Sequence, residues 1–427
     1  MANFKKTILK NGLRIVLAPQ ADSLTVTVLV LVATGSKYET KEINGISHFL
    51  EHLCFKGTKK RPTALAITSE LDGIGSEYNA FTGEEYTGYH AKVEARHTDK
   101  ILDIISDLYV NPIFDPAEIE KEKGVIIEEL NMYEDLPMRK VQEVFTELLY
   151  GDQPAGWPIG GRKEIIQKIA HDDIIKYRSR HYVANSTAVI VSGGFSAKGG
   201  EKLLVSKIEK SFKNVLIGKK GTKIKTQINQ TRPAVSIQYK ESDQAHLVLG
   251  CHAYDIFDRR RHALMLLADI LGGGMSSRLF QRVREQMGAA YYVKADPELH
   301  TDHGYFAVSA GVDNQKLLPV IKAILEELAK IGQGLISDKE LKRAKDHLSG
   351  GLIIGLETSD ALAMFYGGQE IFKRELMTPR ELLKKIDSVA KKEVVAAAKD
   401  IFQNSKLNLA LIGPHKNSKD IEKILRF

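Results

Sequence analysis

The chain has 427 residues, 43% of them apolar and 27% charged, which excludes a disordered polymer and is more than one ordinary core organises. Its formal net charge is +7, but the lysines stand beside glutamates along helical patterns, so a solvated surface is expected rather than a nucleic-acid interface. Two cysteines, Cys54 and Cys251, exclude a disulfide scaffold and fit a reducing compartment.

The opening Met-Ala-Asn-Phe-Lys-Lys lacks the apolar stretch of a signal peptide. The longest apolar run, residues 24–33, is interrupted by threonines, is too short to span a bilayer and reads as a buried strand. A cytoplasmic protein without membrane association is expected. Residues 13–33 are β-rich. Helices follow over 46–55 and 63–71, then a strand over 86–93 and a helical pair over 98–110 and 116–132. A β-branched strand, 187–194, leads into a helix over 202–212.

The polar stretch 218–232 has almost no apolar pattern and reads as a linker; it holds the densest basic cluster, 219–225. The same order of elements then returns. Strands fall in 234–251, helices over 260–271 and 277–287, and a strand over 304–310. A helical pair over 315–331 and 338–348 follows, then a strand over 407–413 and a helix over 418–425. The expected fold is α+β, built from a duplicated unit of about two hundred residues. Each copy is an antiparallel-rich sheet covered by helices, with domains 1–217 and 233–427 joined by 218–232.

The chemistry sits in Gly45-Ile46-Ser47-His48-Phe49-Leu50-Glu51-His52-Leu53. On a helix, positions i and i+4 lie about 40° apart, so His48 and His52 share a face one turn apart and can hold one ion. Glu51 projects from nearly the same face and can reach a water without being a ligand. Phe49, Leu50 and Leu53 can pack the other sides. The pattern His-x-x-Glu-His is that of the inverzincins.

A catalytic zinc needs a third protein ligand and an open position. The helix over 116–132 is its best source. Asp115 can cap it, Pro116 fits its first turn, and Glu118 has capping-box spacing. The helix carries Glu120, Glu122, Glu128 and Glu129, of which Glu122 and Glu129 share a face. Spacing alone does not choose between Glu128 and Glu129. Cys54 points away from the histidine face and reads as a buried thiol. His300 and His303 fall in a loop and are not expected as ligands.

The sequence resembles the pitrilysin/insulinase-type zinc peptidases, in the half-length branch that includes mitochondrial processing peptidase and its bacterial and archaeal relatives. The resemblance covers nearly the whole chain. It rests on His48-Phe49-Leu50-Glu51-His52 with Phe55-Lys56-Gly57-Thr58, and on Asn79-Ala80-x-Thr82-x-x-Glu85-x-Thr87-x-Tyr89. It continues through Val125-Ile126-Ile127-Glu128-Glu129 and Ser277-Arg278-Leu279-Phe280, then Val283-Arg284-Glu285 and Gly288-Ala289-Ala290-Tyr291. Ala289 stands where the family commonly has Leu.

The resemblance implies that Glu129 is the third zinc ligand, Glu122 the carboxylate that orients a ligand, and Glu51 the general base. Residues Asn79, Ala80, Phe81 and Thr82 match an edge strand to which peptide substrates add. Arg284 and Tyr291 match the pair that holds the substrate and stabilises the oxyanion. Full-length relatives close four such units into a clamshell; two units make half of one. A homodimer sharing its sites is therefore expected, with a heterodimer of related subunits as the other arrangement. The implied activity is ATP-independent hydrolysis of unfolded peptides or small proteins in an enclosed chamber. Against it stands a non-catalytic scaffold or partner subunit, which would be expected to lack some of the metal residues.

Overall fold

In the computed structural model, which describes residues 4–195 and 200–427, eleven strands form two sheets. The first contains β1 (Lys5–Ile8), β2 (Arg14–Pro19), β3 (Thr25–Val32), β4 (Glu77–Thr82), β5 (Thr87–Glu94) and β6 (Thr187–Gly193). Their spatial order is β1-β2-β6-β3-β5-β4. The second contains β7 (Ala234–Tyr239), β8 (Gln244–His252), β9 (Ala290–Leu299), β10 (Gly304–Asp313) and β11 (Leu407–Gly413), in the order β7-β11-β8-β10-β9. In each sheet one pair is parallel, β2 with β6 and β7 with β11, and the remaining pairs are antiparallel. The chain is thus an α+β protein with two domains of one strand order.

The apolar run of β3 explains how its sheet is covered. Successive side chains point to opposite faces, so the unbroken apolar stretch of this strand, residues 28–32, must be buried on both sides. Val26, Val28, Val30 and Val32 enter the core beneath the helix Ile46–Leu53 and the helix Thr98–Val110. Leu29 and Leu31 enter a second, smaller core with Leu362, Ala363 and Tyr366 of the helix Ser359–Ile371. Each side chain taken fully out of water contributes about 1.5–3 kcal/mol. Gly367 permits that second contact: a Cβ there would lie 2.8 Å from Leu31 Cδ1 and 3.0 Å from Leu29 Cδ2.

The second sheet is covered the same way by a helix from the first half of the chain. Pro137–Tyr150 buries Val141, Phe145, Leu149 and Tyr150 against Val248, Ala307, Ala410 and Ile412. Each half of the sequence therefore sends one helix to the other half's sheet. The first compact unit runs to Leu130 and adds Pro158–Ile224 and Ile353–Arg380. The second comprises Asn131–Trp157, Lys225–Leu352 and Glu381–Phe427. The changeover at Ile224 and Lys225 falls inside the expected linker 218–232, but neither unit is the contiguous 1–217 or 233–427 drawn from the sequence. The linker has no helix or strand over residues 218–232. Its Lys223 pairs with buried Glu85 in the first unit, and the Thr226 N–H donates to Asp302 in the second at 3.0 Å. Among the described residues no single helix is long and apolar enough to cross a membrane.

Candidate metal centre

The helix Ile46–Leu53 is short, eight residues, and is fixed at its start. Gly45 precedes it with φ of +98°, a left-handed conformation, and a Cβ there would lie 2.6 Å from the Gly160 carbonyl oxygen. Only glycine meets both demands. The N–H of Gly45, just before the helix, and that of Ser47, in its first turn, donate to Glu39 at 2.7 and 2.8 Å, and Asn44 Nδ2 donates to it at 2.9 Å. Burial pushes the Glu39 carboxyl up to about 7 against those hydrogen bonds. Sequence reasoning missed Glu39, because it caps the helix from an irregular loop rather than from the adjacent position where capping residues are sought. Phe49, Leu50 and Leu53 are buried, as expected for the packing side.

His48 and His52 project from the opposite side, their Nε2 atoms 3.2 Å apart. Glu129 Oε2, from the helix Pro116–Glu134, lies 3.6 Å from His48 Nε2 and 3.4 Å from His52 Nε2. Glu128, the neighbour that spacing left open, is exposed, so the structure brings Glu129 to the histidines. Asp115 caps this helix by accepting the Ala117 N–H at 2.7 Å, while Glu118 pairs with Lys121.

The arrangement fits a tetrahedral cation. With bonds of about 2.0–2.1 Å, donors of a tetrahedral zinc lie about 3.3 Å apart, and the three separations bracket that value. Two imidazoles and one carboxylate suit zinc among common divalent ions.

Glu122 stands behind the cluster. Its Oε1 lies 2.9 Å from His52 Nδ1 and its Oε2 pairs with Lys56 Nζ. Burial would raise the Glu122 carboxyl, but the bonds to His52 and Lys56 hold it low. Burial would lower the His52 imidazolium, but Glu122, Glu51 and Glu129 together raise it. Glu51 is raised by burial and by Glu129, with Thr82 and His52 opposing. Cys54 is buried, its Sγ 3.5 Å from the Tyr89 hydroxyl, and burial pushes the thiol up to about 11.

Residues Asn79 to Thr82 lie in β4, which among the described residues pairs only with β5, at the end of its sheet. Asn79 Oδ1 accepts the Ala80 N–H at 2.8 Å, and Phe81 packs against Tyr86 and His90. Thr82 donates its hydroxyl hydrogen to Glu51 Oε2 at 2.5 Å. Arg284 and Tyr291 stand together in the second unit. Arg284 lies in a π-helix, Phe280–Gln286, and its guanidinium is 4.8 Å from the Phe280 ring centre and 5.8 Å from that of Tyr291. Tyr291 is 73% exposed at the start of edge strand β9. Ala289 is buried beneath this turn. His300 and His303 lie in the turn between β9 and β10, buried and stacked 4.3 Å apart.

The family model described as Insulinase (Peptidase family M16) matches residues 14–162, and the model described as Peptidase M16 inactive domain matches residues 168–348. The chain belongs to peptidase family M16. Among its M16 relatives, an uncharacterized zinc protease of Bacillus subtilis is 34% identical over 413 residues, covering 97% of this chain and 99% of that protein. One from Streptomyces coelicolor is 33% identical, covering 97% of this chain and 90% of that protein. A protease from Helicobacter pylori of known crystal structure superposes with a TM-score of 0.90 over 97% of this chain and 100% of its own. At 23% identity that likeness shows the fold alone.

Proposed function

We propose that this M16 chain is a zinc-dependent endopeptidase acting on extended peptides and unfolded small proteins in the cytoplasm, without nucleotide. The observation that carries the reading is the cluster of His48, His52 and Glu129, whose donor atoms all lie within 4.8 Å of one another beside Glu51. Those three residues would hold the ion, and zinc there would supply Lewis acidity to a scissile carbonyl and make water a nucleophile near neutral pH.

The chain's own groups do the rest. Glu122 accepts the Nδ1 hydrogen of His52, which leaves Nε2 free to face the other two donors. Glu51 takes a proton from water and passes it to the leaving amine. The edge strand β4 takes the peptide as an added strand, so main-chain hydrogen bonds give affinity with loose side-chain preference. Arg284 holds the substrate and Tyr291 donates to the oxyanion. In this reading the chain forms a homodimer, and each site takes its Arg284 and Tyr291 from the other copy.

The description "inactive domain" attaches to residues 168–348, whereas the metal cluster lies within 14–162. It therefore does not favour a non-catalytic scaffold for the whole chain. Peptide cleavage by purified protein, with zinc analysis, tests the proposal. Cleavage should stop on chelation and return with zinc. Glu51→Gln should keep zinc bound and lower kcat by about 10²–10⁴-fold. A zinc-loaded Gln variant as active as the parent would remove Glu51 from its role.

A further inference from the structure

A single hydrogen bond joins the sheet edge to the candidate base. Thr82 is the last residue of β4, opposite Thr87 of β5, and its Oγ1 donates to Glu51 Oε2 at 2.5 Å. The backbone beneath Glu51 is already fixed, since buried Glu39 holds the first turn of that helix and Phe49, Leu50 and Leu53 pack its other sides. A fixed backbone does not by itself set the torsions of the Glu51 side chain. Among the described residues Thr82 is the one side chain that donates a hydrogen bond to it.

We propose that Thr82 is a positioning residue whose hydroxyl aims the Glu51 carboxylate, so that the strand receiving the peptide also orients the base. The inference rests on the peptidase reading and goes beyond it, because the resemblance to the family assigns Thr82 only to the substrate edge. Tying Oε2 to Thr82 leaves Oε1 to accept the proton. A peptide that docks on β4 and stiffens it would stiffen the base with it. Peptide binding and base alignment are then two consequences of one event.

The two roles separate experimentally. Thr82→Val keeps the β-branched shape suited to a strand and removes the hydroxyl; Thr82→Ser keeps the hydroxyl. For a positioning role, Thr82→Val lowers kcat by about 10–100-fold with KM unchanged, and Thr82→Ser restores most of it. Zinc content of both variants matches the parent. In the Glu51→Gln background, adding Thr82→Val leaves the affinity for an uncleaved peptide unchanged, measured by fluorescence anisotropy of a labelled unstructured peptide. If Thr82→Val keeps full kcat, the inference fails. It fails equally if the loss appears in KM and in peptide affinity, which would make Thr82 a substrate contact, or if Thr82→Ser does not rescue. A parent protein with no zinc-dependent cleavage sinks the peptidase reading and this inference together, whereas an active parent with any of the other results sinks this inference alone.

Discussion

Setting β1 aside, the first unit runs β2-β6-β3-β5-β4 and the second β7-β11-β8-β10-β9, the same path traced twice with the parallel pair in the same place. After the second strand of that path, in chain order, comes a helix in each. In the first unit it is Ile46–Leu53, eight residues long, with His48, Glu51 and His52 half-buried on one face. In the second it is Arg261–Gly272, twelve residues long, with His262, Ala263, Leu264, Leu266, Leu267, Ala268, Ile270 and Leu271 all buried. One architecture accepts both a helix with a polar face and a helix packed nearly all round. The candidate metal site is thus a matter of side chains placed on one copy, not of the fold the copies share.

The sharpest way to break that comparison is to remove a ligand from one copy and a histidine from the other. His52→Ala should abolish zinc binding, measured as metal per chain after dialysis, and reduce peptide cleavage to background. His262→Ala, in the counterpart helix, should leave both zinc content and cleavage unaltered. Zinc retained at parental affinity by the His52 variant would mean that the cluster is not the metal site.

How much of this was legible beforehand depends on range along the chain. Elements with a strong local period were placed within a residue or two, such as Thr98–Val110 and β11. The two histidines and Glu51 were legible because their geometry is set within one turn of one helix. The choice of Glu129 over Glu128 was not, since it depends on how a second helix lies against the first; family resemblance supplied it, and Glu129 Oε2 lies 3.6 and 3.4 Å from the two histidine Nε2 atoms. The helices Pro137–Tyr150 and Ser359–Ile371 were not read at all, and their destinations could not have been. An amphipathic pattern shows that a helix covers something, and it carries no address for which sheet. Glu39 and the Thr82–Glu51 bond were missed for the same reason: each joins segments whose meeting is set by packing, not by periodicity.

A second, smaller effect tests the share of the second unit. Tyr291→Phe removes one hydroxyl and keeps the ring, so zinc content and KM should hold while kcat falls by about 10²–10³-fold, the usual cost of one oxyanion donor. The proposed homodimer sharpens this further. Mixing the Tyr291→Phe and Glu51→Gln variants, each nearly inactive alone, should restore part of the activity if each site draws Tyr291 from the other copy. An inactive mixture, under conditions where subunits demonstrably exchange, would place the Tyr291 of each site in the same chain as its Glu51.

The smallest expected effect concerns the exchanged helices. Gly367→Ala places a methyl group 2.8 Å from Leu31 Cδ1, 3.0 Å from Leu29 Cδ2 and 3.5 Å from Ile190 Cδ1. Overpacking of this kind costs about 1–3 kcal/mol, and the helix regains up to about 1 kcal/mol by exchanging glycine for alanine. The contacted atoms are leucine and isoleucine methyls that can shift, so the loss falls toward the lower end, a net of about 1 kcal/mol. Its location is more telling than its size. Gly367 belongs to the second half of the sequence but packs on the first sheet, so hydrogen exchange should quicken in β3 and β6 and stay unchanged in β8 and β11. Faster exchange confined to β8 and β11 would mean that sequence halves, not the interleaved units, are the cooperative bodies of this protein.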